Sequence, residues 1–360
     1  MPDRGLLFIP DISGFTRFVN EIELEHGRHI IQQLLEVLIN ANQVGLEVSE
    51  IEGDAILFYK FGEPLELATL YGQVQKMFLA FHQHITAYNQ RRICQCKACV
   101  SAIDLTLKVI SHYGEFTTYN VRNFSKLIGK DVIVAHQLLK NDIDQHEYWL
   151  VTKSLVQEGQ PAGFAGWMEW NSSTKQTENG DIPFHYTQLS ALKDELPPDP
   201  LPQLELANKI KVVSATRDYA IDIKTLCYTV FHFEFRHLWQ VGVKTIDEVA
   251  HFLPGIGSSH RHVLDNGQAV VKYTSSFIYN PEEKVVFSET EAKRKRALYY
   301  TIEKLGDQQT RVTLDFYIEK NLISQALFRI NEKKKMEQAF QQSLLNLDSL
   351  AKNTVLPLEF

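Results

Sequence analysis

The chain has 360 residues, a formal net charge of −7, 44% hydrophobic residues and 22% charged residues, with a pI near 6.0. That length exceeds what one ordinary core fills, so two globular domains are expected. The acidic balance and the lack of a basic stripe exclude a nucleic-acid binder that works by neutralising phosphates. No apolar run of spanning length and no N-terminal signal pattern are visible, so no membrane span and a cytoplasmic location are expected.

Leu6 to Ile9 reads as a buried strand, and Phe15, Phe18 and Val19 fit one helical face. Asp11 then sits at a strand end just before a helix start, where free backbone N–H groups favour phosphate. Two further apolar runs, Leu46 to Ile51 and Ala55 to Tyr59, flank Gly53-Asp54 and suggest a hairpin tip. Asp11 and Asp54 are therefore candidate oxygen ligands for Mg or Mn, in the manner of a two-metal phosphoryl-transfer site. The plainer alternative makes Asp11 a helix cap and Asp54 a turn residue.

Ile30, Ile31, Leu34, Leu35 and Leu38 form one apolar helical stripe, and Leu67, Leu70, Val74, Phe78 and Phe81 form another. After the long helix predicted over 65–89 comes Cys94-Gln95-Cys96-Lys97-Ala98-Cys99. Disulfides are not expected in a cytoplasmic chain, so Cys94, Cys96 and Cys99 are either candidate zinc ligands or reduced thiols in a connector. His82 and His84 are candidate fourth ligands. The polar stretch Asn171 to Asp181, between aromatic-rich runs, suggests the loop of a hairpin closing the first domain, with Lys175 solvated.

Ala191 to Pro202 holds four prolines and reads as an interdomain linker. The expected organisation is a first domain over 1–190, a linker over 191–207 and a second domain over 208–360. In the second domain, Val212 to Val230 looks strand-like, with Cys227 as packing in the alternating run Ile221 to Val230. Phe231 to Trp239 reads as helical or turning. Ile256 to Ser288 alternates around turns at Asp265-Asn266-Gly267 and Asn280-Pro281-Glu282. Strands are expected at Ala297 to Glu303 and Arg311 to Glu319, and the basic run Lys293 to Arg296 as a solvated strand or loop. From Asn331 to Leu350, Met336, Phe340, Leu344, Leu347 and Leu350 recur at helical spacing. His260 and His262 flank an apparent turn and read as exposed, and no nucleophile-base-orienter set is visible.

The segments Phe8-Ile9-Pro10-Asp11-Ile12-Ser13-Gly14-Phe15-Thr16 and Glu50-Ile51-Glu52-Gly53-Asp54-Ala55 resemble the two metal-aspartate motifs of the class III nucleotidyl cyclases, over roughly the first half of the chain. The resemblance implies an α+β, ferredoxin-like domain of βαβ type. It places Asp11 and Asp54 on metal, and Ile12, Ser13, Gly14 and Phe15 beside the nucleotide. Asp104 to Glu115 looks like the central cyclase strand, and Leu127 to Gln137 like the segment opening the next helix. That helix departs from the pattern: active members usually carry Asn where this chain has Ile133 and Arg where it has Gln137, groups that orient the ribose and stabilise the transferring phosphate. The positions that choose the base correspond to Glu50 and Lys126, reversed in polarity relative to adenine-specific members. They are compatible with guanine, or else form an ion pair filling an empty purine pocket. The family builds its site across a head-to-tail dimer, which implies a homodimer. Two functions follow from the resemblance: a regulatory protein binding purine nucleotide and divalent metal without efficient turnover, or an active nucleotidyl cyclase.

The second half, through Phe235-Arg236-His237-Leu238-Trp239, Leu253-Pro254-Gly255-Ile256-Gly257-Ser258-Ser259-His260, Ser288-Glu289-Thr290 and the last helix, resembles the START-like or polyketide-cyclase superfamily. That implies a helix-grip fold, a curved antiparallel sheet around a long C-terminal helix, holding a hydrophobic small molecule. Trp239, Met336, Phe340 and Leu344 are the implied cavity lining; the alternative is an ordinary filled core.

Overall fold

A computed structural model describes residues 3–20, 24–122, 124–156, 159, 161–177, 180–200, 206–248, 255–293 and 295–356. Leu253, Pro254 and the linker residues 201–205 lie outside them. The fold is α+β. The chain forms two compact units, one of residues 1–89 and 98–198, the other of residues 90–97 and 199–360.

The first unit begins with β1 (Asp3–Ser13), α1 (Phe15–Asn20), α2 (Leu24–Asn40), the hairpin β2 (Glu47–Glu52) and β3 (Ala55–Phe61), then α3 (Leu67–Arg91), whose last two residues belong to the other unit. It continues with α4 (Lys97–Ser101), β4 (Thr106–Val121), β5 (Phe124–Ile128), α5 (Lys130–Leu139), β6 (Tyr148–Thr152), β7 (Asn171–Thr177) and β8 (Gly180–Gln188). The strands form a mixed sheet in the order β2-β3-β1-β4-β6-β8-β7, with β5 paired to β4 and the one parallel pairing between β4 and β6 among the described residues. β1 lies between β3 and β4 and is buried from Gly5 to Ser13, which is why it is a continuous apolar run rather than an alternating one. Its ladder to β4 is unbroken, but the ladder to β3 lapses between Phe8 and Asp11, at Pro10, which has no N–H to donate. Leu7, Ile9, Leu57, Ile110, Leu138 and Leu150 are among the residues forming the core under α5.

The second unit contains β9 (Lys209–Tyr219), α6 (Ile223–Phe231), α7 (Arg236–Trp239), then β10 (Val243–Glu248), β11 (Ser259–Leu264), β12 (Ala269–Asn280), β13 (Lys284–Glu291), β14 (Ala297–Gly306) and β15 (Gln309–Glu319), and the helices α8 (Leu322–Asn331) and α9 (Lys333–Ala351). The sheet is antiparallel throughout, in the order β10-β11-β12-β13-β14-β15-β9. Phe340, Leu344 and Leu347 of α9 and Leu226 and Val230 of α6 close a core with alternate residues of β13, β14 and β15. Residues 90–97 join this unit through an Arg92–Gly255 bridge, a 2.7 Å hydrogen bond from the Ile256 amide to the Arg91 carbonyl, and an Arg91–Asp199 ion pair.

Several local expectations are corrected. Within the stretch expected as a loop, Asn171–Thr177 is itself the edge strand β7, paired with β8, which Gly180 and Asp181 open. Its polar composition suits a largely exposed edge. The alternating run Ile221 to Val230 is mostly helix α6, started by Asp222, whose side chain accepts from the Thr225 amide at 2.9 Å. The strand expected over Asp104 to Glu115 runs from Thr106 on to Val121. His260 and His262 lie within β11 and are 2% and 0% exposed, not at an exposed turn.

Candidate functional site

The end of β1 and the tip of the β2–β3 hairpin bring the first pair of aspartates together. Asp11 pairs across to Ala55, the residue after Asp54, and the Ile12 amide donates to the Asp54 carbonyl at 3.1 Å. Gly14 takes φ +89°, a left-handed turn that only glycine adopts without cost, and its carbonyl accepts from the Phe18 amide at 3.0 Å. The helix that follows is six residues long, so any pull on phosphate there rests on the turn's own N–H groups rather than on a helix dipole. The Ser13 hydroxyl beside this turn is buried with no hydrogen-bond partner.

Asp11 is 9% exposed. Burial raises its carboxyl pKa to about 6, against the lowering effect of Lys108 and with a further push from Asp54. Burial likewise raises Asp54. Lys108 stands opposite Asp11 in the β1–β4 register, its Nζ 3.5 Å from Asp11 Oδ1 and 3.3 Å from the Leu139 carbonyl it donates to. The pocket thus carries two carboxylates and one resident ammonium. One cation does not offset both charges, and a divalent ion on the Asp11 and Asp54 oxygens would turn the net negative charge into one positive charge facing an anion.

Glu50 of β2 and Lys126 of β5 form a close ion pair with each other. Ile133 on α5 is 55% exposed, and Gln137, one turn on, is half-buried. Asp131, in the first turn of α5, is gripped: His112 Nε2 lies 2.9 Å from one carboxylate oxygen and the Glu115 amide donates to the other at 2.8 Å. Burial would raise its pKa, but these hydrogen bonds outweigh it and hold Asp131 below the usual carboxylate range. A Cβ on Gly114 would fall 2.2 Å from Asp131 Cγ, so this grip requires glycine there. A donor set that sequence reasoning missed lies alongside: Glu50, Glu52 and His136 have ligand atoms within 4.8 Å of one another. Its members come from β2 and α5 and are united only by the fold.

The four cysteines are thiols. Of the two expected histidine partners, His82 Nε2 lies 3.3 Å from Glu147 and His84 Nε2 3.1 Å from Gln33. The imidazole beside Cys99 is His26, with Nδ1 3.5 Å from Sγ. The Cys96 amide lies 3.5 Å from Cys94 Sγ.

In the second unit, a cavity of about 370 Å³ opens between the sheet and α9. Met336 and Phe340 line it with Leu298, Leu314 and Phe316, while Trp239 and Leu344 are buried in the adjoining core instead. The lining also carries Lys272 and Glu289. Glu289, 1% exposed, receives hydrogen bonds from Tyr300 (3.0 Å) and the fully buried Arg236 (3.4 Å), and Lys272 lies 3.7 Å away. Burial alone would raise its carboxyl; Arg236 and then Lys272 overcome that and hold it well below the carboxylate range. His260 and His262 face the same carboxylate.

A family described as a protein of unknown function (DUF2652) matches residues 31–148. An uncharacterised protein of Mycobacterium tuberculosis is 30% identical over 125 residues, which is 35% of this chain and 58% of that protein, so the chain spans less than two thirds of this relative's length. Among solved structures, the catalytic core of a rhodopsin-guanylyl cyclase with converted specificity, in complex with ATPαS, has 16% identity and a TM-score of 0.38 over 52% of this chain and 96% of that one. A bacterial light-regulated adenylyl cyclase has 13% identity and a TM-score of 0.37 over 53% of each chain.

Proposed function

We propose that the first unit is a cyclase-homology domain that binds a purine nucleotide with Mg or Mn at Asp11 and Asp54 and turns it over poorly, within a cytoplasmic signalling protein. The observation that carries this reading is the convergence of the two motif aspartates, one of them with a pKa raised by burial and by its partner, on a turn with an unpartnered buried hydroxyl. Poor turnover follows from Ile133, an apolar side chain on α5 where active cyclases place a ribose-orienting amide, and from the uncharged Gln137. The Glu50–Lys126 pair must open to admit a base, which weakens nucleotide affinity relative to a preformed pocket. A homodimer suits the exposed apolar side chains Val121, Phe124, Ile128 and Ile133, 55% to 72% exposed. The second unit is read as START-like, taking a hydrophobic small molecule in the cavity beside Met336 and Phe340. Cys94, Cys96 and Cys99 stay zinc candidates on their spacing.

The second reading, an active cyclase using GTP in preference to ATP, draws on the same aspartates and on the opposite charges of Glu50 and Lys126. Incubation with GTP or ATP and Mn²⁺, with cyclic product measured by mass spectrometry, separates the two. The first reading predicts trace product from the natural chain and a gain of about tenfold or more from Ile133→Asn/Gln137→Arg. Rapid turnover by the natural chain overturns it in favour of the second.

A further inference from the structure

We propose that His260, His262 and Glu289 form a transition-metal site at the wall of the second unit's cavity. The three ligand atoms lie within 4.8 Å of one another, all from buried residues. His260 Nε2 is 3.2 Å and His262 Nε2 3.8 Å from the same oxygen, Glu289 Oε1. None of these contacts has hydrogen-bond geometry: both nitrogens of both rings, and Oε1 itself, are buried without a hydrogen-bond partner. Three of these orphaned atoms, one from each residue, converge at one place and call for a missing partner, since each costs roughly 1–3 kcal/mol when left unmet.

The strand pattern builds the site. His260 and His262 are two apart on β11 and share a face, His260 stands opposite Lys272 of β12, and Glu289 of β13 stands opposite Thr274. A register shift in β12 between Thr274 and Ser276 bends the middle strand, and the Thr274 hydroxyl is also buried and unpartnered. Tyr300 donates to the opposite oxygen, Oε2, and Arg236 straddles both, with Nη1 3.4 Å from Oε2 and Nη2 3.3 Å from Oε1; together they fix the carboxylate's orientation, the task that outer partners perform for metal ligands. Two imidazoles and one carboxylate suit zinc or ferrous iron with coordination positions left open. Glu289 and Lys272 both line the cavity, so an open position is reachable from it.

Charge narrows what would enter. Arg236, Lys272, Arg296 and Lys335 against Glu289, Glu291 and Glu332 leave one positive charge, and a divalent ion brings the total to three. The ligand drawn from the cavity is therefore an anion, a carboxylate or phenolate carried on an apolar body that meets Met336 and Phe340.

The test is a Co²⁺ titration of the full chain carrying Glu52→Gln/Asp54→Ala/Cys94→Ser/Cys96→Ser, which silences the other candidate donor sets. One equivalent of Co²⁺ with visible d–d bands and no sulfur charge-transfer band is expected. Affinity should fall by roughly a hundredfold or more in His260→Gln/His262→Gln. The single His260→Gln variant reads the same loss if the double variant fails to fold. Octanoate should shift the bands. Only sulfur-type bands, no binding at micromolar Co²⁺, or binding unchanged in the histidine variants overturns the site, and bands indifferent to octanoate overturn the anionic ligand.

Discussion

Asp11 and Glu289 are both buried carboxylates facing a lysine, at 3.5 Å and 3.7 Å, yet their pKa values move in opposite directions. Asp11 has one cation and a second carboxylate, Asp54, beside it, so burial wins and the carboxyl rises. Glu289 has Arg236 as well as Lys272 and a hydroxyl donor from Tyr300, so the cations win. Burial sets the default direction, and the count of nearby charges decides whether it prevails. Asp11 is thus left short of positive charge, which is what a site for metal and triphosphate requires. Glu289 is locked as a carboxylate, and it is the histidines facing it that lack partners.

The comparison is broken most strongly by Arg236→Met. It leaves Glu289 buried without its main partner, and urea denaturation should show the second unit destabilised by about 3–5 kcal/mol. In the first unit, Gly114→Ala should cost about 2–3 kcal/mol, because the added methyl occupies the place of the Asp131 carboxylate. A loss below about 0.5 kcal/mol would show that Asp131 moves freely. Lys108→Met removes the resident ammonium and should tighten Mn²⁺ binding at Asp11 and Asp54 by roughly tenfold, read by electron paramagnetic resonance. Unchanged affinity would mean that the lysine does not compete with metal.

The smallest effect concerns pH. Asp131 has a folded pKa below its unfolded one, so the unfolded chain binds the extra proton in acid. The stability Asp131 contributes is present above the unfolded carboxylate range, near pH 4, and is lost as pH falls through the folded value. Asp131→Asn should cost about 1 kcal/mol at pH 7 and progressively less as pH falls below about 4.

The Asp11 and Asp54 pair was legible because each aspartate sits in its own short motif between apolar runs, and a hairpin beside a central strand suffices to join them. The pair formed by Glu50 and Lys126 was reached only through the cyclase resemblance, as one of two alternatives for those positions. The His260, His262 and Glu289 cluster was not: it needs the register across β11, β12 and β13, including the irregularity near Ser275, which no local pattern reports. The spacing of two between the histidines was the available signal, and the neighbouring turn hid it. β7 escaped because an exposed edge strand of Asn, Ser, Thr and Lys has the composition of a loop. Residues 90–97 follow a first-unit helix in sequence, and only their long-range hydrogen bonds assign them to the second unit.

Titration calorimetry with a non-hydrolysable GTP analogue, with and without Mg²⁺, on the natural chain and on Asp11→Ala/Asp54→Ala, tests the central claim most directly. The account predicts binding that depends on metal and disappears in the double variant while the thermal transition persists. No binding at millimolar analogue, or binding that survives loss of both aspartates, would contradict it.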